Sequence, residues 1–121
     1  MRFHYSLVAF SVALLGLTVL LAACSGGGGG GNSVEMKEYS FTPPTVTVKA
    51  NQAVTINLRN TGTLVHDWVV QGMPGPEVKG EVQPGRSGTV TFTPTQPGTY
   101  RVICAQPAHE QSGMVGQLVV Q

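Results

Sequence analysis

Apolar and polar residues alternate along much of the chain from residue 34 to its end. The clearest case is Ala53–Asn60, in which aliphatic side chains occupy every second position from residue 54 and polar residues lie between them. A period of two predicts a β-strand with one buried face and one solvated face. The same alternation, or a short apolar run, predicts six further strands: Val34–Tyr39, Thr45–Lys49, His66–Gln71, Gly88–Phe92, Thr99–Cys104 and Gly116–Val120.

Proline and glycine mark the connections between these strands. Pro43 and Pro44 exclude a helix in Ser40–Pro44, so this segment is predicted to be a turn. Gly72–Gly85 contains several prolines and glycines and is predicted to be a long irregular excursion. No segment after residue 33 has a convincing helical period. About seven to eight short strands separated by turns predict an all-β fold, namely an antiparallel β-sandwich.

The beginning of the chain differs in composition from the rest. Ser6–Leu21 is largely apolar and follows a short basic segment that contains Arg2. This order predicts a signal peptide over residues 1–23, because the apolar segment is too short and wrongly flanked for a membrane span. We therefore expect an exported protein.

The segment that follows predicts an anchor and a tether. Leu21-Ala22-Ala23-Cys24 resembles the lipobox of bacterial lipoproteins, which makes Cys24 the predicted lipidation site. An ordinary signal peptide with a chance cysteine is the alternative. A diacylglyceryl group carries two acyl chains, which suffice for stable anchoring. Residues 24–33 include six consecutive glycines and predict a flexible coil. We expect a domain over residues 34–121, lipid-anchored to the outer face of the cell membrane or on its periplasmic side.

Charge limits the classes of partner. The chain has 121 residues and a formal net charge of +1. Arg2 leaves with the predicted signal peptide, so the mature domain has equal numbers of acidic and basic residues. A neutral domain gives no basis for binding nucleic acid or a strongly charged partner. One domain of this size can bury its own core, and we expect a monomer.

Cysteine usage gives the first indication of chemistry. Exported proteins normally pair their cysteines, yet lipidation of Cys24 would leave Cys104 alone. A free cysteine can be a small buried hydrophobe, and metal ligation is the other explanation. His109 and Met114 follow Cys104 on one loop, with four residues in each interval, and His66 begins a predicted strand upstream.

These four side chains together favour a metal centre. A single His is more often solvated, and a single Met more often fills a core. Two His, one Cys and a weak axial Met, however, form the ligand set of a blue-copper electron-transfer centre. We therefore predict one copper ion that alternates between Cu(I) and Cu(II). Zinc fits less well, because structural zinc sites usually take four strong nitrogen or sulfur donors without Met.

The loop and its flanks resemble the cupredoxins. Gly98-Thr99-Tyr100 precedes the loop, Met114-Val115-Gly116 closes it, and its Cys-to-His gap resembles that of the membrane-tethered auracyanin and halocyanin-type carriers. The resemblance covers about residues 34–121 and implies a Greek-key β-sandwich. It implies that His66, Cys104 and His109 are the equatorial copper ligands and Met114 the axial one. It also implies electron exchange at an exposed imidazole edge of His109 within an apolar patch, for which the candidates are Leu64, Met73, Pro74, Pro107 and Ala108.

Asp67 departs from the family pattern, because many cupredoxins have Asn directly after the first His. An ionised Asp only accepts hydrogen bonds, whereas Asn also donates them. We expect one of two arrangements. Asp67 either accepts a hydrogen bond from a loop N–H beside Cys104, which would add negative charge near the copper, or is solvated at the start of its strand.

The resulting prediction is a type 1 copper protein that shuttles one electron at a time and is not an enzyme. The expected donor is a membrane quinol-oxidising complex or a cytochrome, and the expected acceptor is a cytochrome, a reaction centre or a terminal oxidase. His4 leaves with the signal peptide, so no histidine remains for a second copper that could bind substrate. A binuclear copper site would need a second cysteine in the loop.

Two other classes of protein remain as alternatives. A copper-delivery protein, or copper chaperone, often uses exposed Met-rich or His-rich ligands, and this chain has only Met36 and Met73 in reserve. An adhesion or scaffold sandwich with a vestigial loop is the third class.

Overall fold

Nine β-strands and no helix make up the described part of the protein, which is residues 32–121 of a computed structural model. Within this range no helix is long and apolar enough to cross a membrane. The predicted signal peptide, the lipidation site Cys24 and most of the predicted tether lie outside the described residues. The strands are β1 (Ser33–Lys37), β2 (Ser40–Thr42), β3 (Thr45–Val48), β4 (Val54–Asn60), β5 (His66–Gln71), β6 (Val78–Val82), β7 (Ser87–Phe92), β8 (Gly98–Ile103) and β9 (Val115–Val120).

The strands form two sheets. One sheet has the order β2-β1-β4-β7, and the other has the order β3-β9-β8-β5-β6. Most neighbours are antiparallel, but β1 runs parallel to β4 and β3 runs parallel to β9. Parallel neighbours need a crossover connection, and the chain between β1 and β4 crosses to the other sheet to form β3. The all-β sandwich is confirmed, with nine strands instead of seven to eight and with two parallel pairs among the antiparallel ones.

The core lies between the two sheets. Along β4, Val54, Ile56 and Leu58 are buried while the residues between them are exposed, as their alternation predicts. From the other sheet, Trp68 on β5 joins the same cluster, and its ring centroid lies 6.4 Å from that of Phe92 on β7. Burying each large aliphatic or aromatic side chain contributes about 1.5–3 kcal/mol. This apolar layer therefore supports the strand ends that carry the candidate ligands.

Strand β2 lies inside the segment that the sequence predicts to be a turn. Its three residues pair with β1, and only the central residue, Phe41, is buried. Three residues are too few to show a period of two, and the two prolines that follow dominate the local pattern. The prediction of a turn over Ser40–Pro44 is therefore wrong for its first half.

Strand β6 lies inside the predicted irregular excursion. Val78 and Val82 are buried at its two ends, and the central position is Gly80. A Cβ atom on Gly80 would overlap with the side chains of Leu58 and Val90, so a larger residue there would force these side chains to move. The glycine that reads as a loop signal is in fact required by close packing inside a strand.

The topology brings three candidate ligand segments to one end of one sheet. His66 begins β5, Cys104 directly follows β8, and Met114 directly precedes β9. Because β8 pairs antiparallel with both β5 and β9, the start of β5, the end of β8 and the start of β9 lie side by side.

Candidate metal centre

Cys104 is completely buried at the end of β8. Its backbone N–H donates to the Met114 carbonyl oxygen at 3.1 Å, and its Sγ accepts a hydrogen bond from the Asp67 backbone N–H at 3.3 Å. Burial raises the pKa of the Cys104 thiol, while the backbone N–H groups of Asp67 and Gln106 act in the opposite direction. A bound cation would displace the thiol proton, because the thiolate is the metal ligand.

Two imidazoles face this sulfur. The Nδ1 atoms of His66 and His109 are 3.2 Å apart, and the Cys104 Sγ lies 3.9 Å from the first and 3.3 Å from the second. All three residues are buried. Burial also lowers the pKa of His66, and the Glu38 carboxylate opposes that effect. A neutral imidazole is the form that binds a metal ion.

The spacing of these three atoms fits a metal ion. A point equidistant from them lies about 2 Å from each, close to the ~2.0–2.1 Å of a histidine nitrogen bond and slightly below the ~2.3 Å of a thiolate bond, as known for zinc. One thiolate and two imidazoles therefore converge on a single position. A trigonal set of this composition is the one that copper uses in blue centres.

Met114 closes the loop behind this set. Its N–H donates to the His109 carbonyl oxygen at 3.0 Å, and its side chain is completely buried in the same cluster as Cys104. The loop between the two ligands is held by its own hydrogen bonds, among them one from the Ser112 Oγ to the Ala108 carbonyl oxygen at 2.8 Å. All four sequence-predicted ligand residues are thus buried, three of them on one internally hydrogen-bonded loop and the fourth on the neighbouring strand.

Asp67 is 1% exposed, so it is not solvated as one of the two sequence-based alternatives proposes. Its Oδ2 accepts a hydrogen bond from the Gln106 side-chain amide at 3.2 Å and lies 3.9 Å from the Lys79 Nζ. Its Oδ1 has no hydrogen-bond partner within residues 32–121. The donor on the ligand loop is therefore a side-chain amide two residues after Cys104, and the Asp67 backbone N–H reaches the sulfur itself.

Glu38 contacts the centre although the sequence gives no sign of it. It lies in the turn between β1 and β2, and its Oε1 is 3.3 Å from the Nε2 of His66, which is 28 residues away in sequence. The same oxygen accepts hydrogen bonds from the backbone N–H groups of Thr63 at 2.6 Å and Leu64 at 2.8 Å. The N–H of Leu64 makes the largest contribution to a pKa of Glu38 that is lowered from 4.5 to about 2.

Tyr39 covers the second imidazole. Its ring meets the His109 ring edge-on, with centroids 5.0 Å apart and planes at 70°. His109 is only 7% exposed, whereas Tyr39 is 41% exposed. The expectation of an exposed imidazole edge on His109 is therefore wrong, because an aromatic ring from the β1–β2 turn lies against it.

The five residues of the predicted apolar patch separate into two groups. Leu64 is 42% exposed beside Glu38, and Pro107 and Ala108 are exposed on the ligand loop. Met73 and Pro74, however, follow the opposite end of β5 from His66, and they line a cavity with residues of β6 and β7. Five residue steps of strand separate the two ends of β5, which is about 16 Å. The direction of β5 therefore does not support one shared surface.

Comparison with known proteins identifies a family and several similar proteins. A family model described as a cupredoxin-like domain matches residues 10–120. The chain is 28% identical over 98 residues to the copper-resistant cuproprotein CopI of Rubrivivax gelatinosus, an alignment that covers 67% of this chain and 59% of that protein. It is 53% identical over 36 residues to auracyanin-B of Chloroflexus aurantiacus, which covers 30% of this chain and 15% of that protein. The alignments thus cover less than two thirds of the length of each of these curated relatives.

One solved structure extends the similarity to the whole described domain. The dithionite-reduced auracyanin of Roseiflexus castenholzii superimposes with a TM-score of 0.65 at 28% identity. The match covers 74% of this chain and 94% of the auracyanin chain. The fold of the described domain is therefore found in a known protein.

Proposed function

The chain belongs to the cupredoxin-like domain family, and from this membership we propose that it is a type 1 copper protein that transfers one electron at a time. The convergence of the Cys104 Sγ with the Nδ1 atoms of His66 and His109 carries the proposal. These three side chains would hold the copper ion, with Met114 as a weaker fourth ligand. Copper supplies the redox chemistry, because thiolate, thioether and imidazole together suit both Cu(I) and Cu(II).

In this function the polypeptide fixes the positions of the ligand side chains. Backbone hydrogen bonds join Cys104 to Met114 and Met114 to His109, and the backbone of Asp67 holds the sulfur from the adjacent strand. Ligands fixed in this way change little when the charge of the metal changes, so little reorganisation accompanies electron transfer. Three of the four ligand side chains are completely buried, which leaves little room for a substrate and supports a carrier over an enzyme.

The proposed contact surface for redox partners lies at the copper end of the domain. It consists of the exposed residues Tyr39, Leu64, Pro107 and Ala108, of which Tyr39 touches the His109 ring. Partners of the expected kinds are cytochromes, a quinol-oxidising complex, a reaction centre or a terminal oxidase. A small apolar surface suits the brief encounters of redox proteins. Attachment to the membrane through a lipid on Cys24 and export from the cytoplasm complete the proposal.

Copper delivery is the second candidate function, because the chain is similar to a protein described as copper-resistant. The complete burial of His66, Cys104 and Met114 argues against rapid release of the ion. Stopped-flow mixing of the Cu(I) protein with a Cu(I) chelator tests this point. A carrier of electrons should retain copper through repeated oxidation and reduction, whereas a delivery protein should give it up to the chelator quickly.

The visible and EPR spectra of the copper-loaded protein test the main proposal. We expect an intense visible band from charge transfer between the Cys104 thiolate and Cu(II), which disappears in Cys104→Ser while the β-sheet circular dichroism spectrum is retained. A colourless product after Cu(II) is added to reduced, metal-free protein would refute the proposal. A protein that takes up zinc but not Cu(II) would refute it as well.

A further inference from the structure

Glu38 lies in the β1–β2 turn, outside any strand. The side chain of Glu38 is 21% exposed, so its carboxylate lies at the edge of the molecule and not in the core. Its Oε1 nevertheless lies 3.3 Å from the Nε2 of the completely buried His66. The remaining partners of that oxygen are two backbone N–H groups and, at 3.5 Å, the Thr63 hydroxyl, all in the loop that leads from β4 to β5.

The two nitrogens of His66 have different partners. Nδ1 faces the Nδ1 of His109 and the Cys104 sulfur, while Nε2 faces Glu38. If Nδ1 binds the metal, Nε2 must carry the proton of the neutral ring. That N–H points at a carboxylate oxygen, which is a charge-assisted hydrogen bond. A bond of this kind fixes the tautomer and the orientation of a ligating imidazole.

The carboxylate is itself held in place. Thr63 and Leu64 donate backbone hydrogen bonds to Oε1 at 2.6 Å and 2.8 Å. Gly62 lies directly beside the same group, and a Cβ atom on Gly62 would overlap with the carboxylate oxygens. The glycine therefore leaves the space that the carboxylate occupies. Glu38 thus joins three segments: the β1–β2 turn, the loop before β5 and the first predicted ligand.

We propose that Glu38 is a positioning residue of the metal centre, which orients His66 through its Nε2–H and places a fixed negative charge next to that ring. The inference rests on the proposed copper function for its effect on the reduction potential. A negative charge near the ion stabilises Cu(II) relative to Cu(I) and so lowers the potential. The hydrogen bond between Glu38 and His66 is independent of which metal is bound.

The alternative is that Glu38 only holds the β1–β2 turn against the loop before β5. Glu38→Gln distinguishes the two roles, because the amide oxygen can still accept hydrogen bonds while the charge is removed. Glu35→Gln is the matched control: Glu35 lies on β1, and its Oε1 accepts a hydrogen bond from the Thr61 hydroxyl at 3.0 Å. It removes the same charge from a carboxylate that makes no hydrogen bond to a predicted ligand within residues 32–121.

Voltammetry of the full copper-loaded chain measures the first consequence. We expect Glu38→Gln to keep the blue spectrum and to raise the midpoint potential, and Glu35→Gln to raise it by much less. Equal shifts in the two variants, or no shift in Glu38→Gln, would overturn the proposal. A wild-type protein without a blue spectrum would instead refute the proposed function.

NMR of the imidazole N–H measures the second consequence, in both the Cu(I) and the metal-free protein. We expect the His66 Nε2 proton to exchange with water about ten-fold faster, or more, in Glu38→Ala, because a charge-assisted hydrogen bond is lost. Gly62→Ala should have the same effect with Glu38 intact, because the new methyl group displaces the carboxylate. Unchanged exchange in both variants would overturn the proposal.

Discussion

Asp67 has a buried carboxylate, and its backbone N–H donates to the Cys104 sulfur. We predict that Asp67→Asn raises the reduction potential of the copper protein, because one negative charge is removed from a buried position near the metal. Lys79 and Gln106 offset part of that charge and limit the shift. Voltammetry measures the midpoint.

The control for this prediction is Glu81, on the adjacent strand β6. Glu81 on β6 pairs in register with Asp67 but points to solvent, so Glu81→Gln removes the same charge where water screens it. A midpoint in Asp67→Asn that is unchanged, lowered, or shifted no more than in Glu81→Gln would contradict the prediction.

Glu38 also links the stability of the fold to pH. Its pKa is lowered to about 2 in the folded protein from an ordinary value of 4.5. The unfolded chain therefore binds more protons between these values, and stability from this group is present above pH 4.5 and is lost as the pH falls toward 2. The urea midpoint of the metal-free protein, measured at several pH values, should fall less steeply across this window in Glu38→Gln than in wild type. Parallel pH profiles for the two proteins would argue against this account.

The four ligand residues could be predicted from the sequence. Glu38 and Tyr39, which contact two of them, could not. Cys104, His109 and Met114 recur at equal intervals on one loop, so their chemistry is local. Glu38 and Tyr39 reach His66 and His109 from a different turn. Their contacts depend on how β1 and β2 lie against the other sheet, and no spacing in the sequence records that.

At the scale of a strand, Gly80 is the residue on which β6 depends. We predict that Gly80→Ala lowers the free energy of unfolding by about 1–3 kcal/mol, because the added methyl group overlaps with Leu58 and Val90 in a packed core. Denaturant unfolding of the metal-free protein measures the loss.

Gly88→Ala is the matched control, on β7 in the opposite sheet. A Cβ atom there would lie 3.4 Å from the Cγ2 of Val82, which is close to an ordinary contact. We expect this variant to be about as stable as the wild type. Equal stability of the two alanine variants would mean that crowding at residue 80 has been overestimated.

A strand with a long alternating pattern could be predicted, whereas β2, which is very short, and β6, which has a glycine at its centre, could not. β4 has seven residues with strict alternation of burial, and its sequence alone defines both faces. β2 has three residues, and β6 has a glycine at its central inward position, so neither produces the pattern. Hydrogen bonds to an existing neighbour, β1 for the first and β5 for the second, form these strands instead.

For the whole molecule, charge balance predicts how encounters with partners depend on salt. The domain after the predicted signal peptide has equal numbers of acidic and basic residues, so long-range steering should be weak. We predict that the bimolecular rate of electron transfer to a cytochrome partner changes little between low and physiological ionic strength. Stopped-flow kinetics at several salt concentrations measure it, and a steep decline with added salt would contradict docking through an apolar surface.

The parallel pairing of β1 with β4 has a consequence for orientation. β1 begins at Ser33 opposite Asn57 and runs in the same direction as β4, towards the loop that precedes His66. The chain therefore enters the sandwich at one end, and the four candidate ligands lie at the opposite end. An attachment through residues before Ser33 would therefore join the domain at the end opposite the candidate ligands, which leaves that end free for contact with partners.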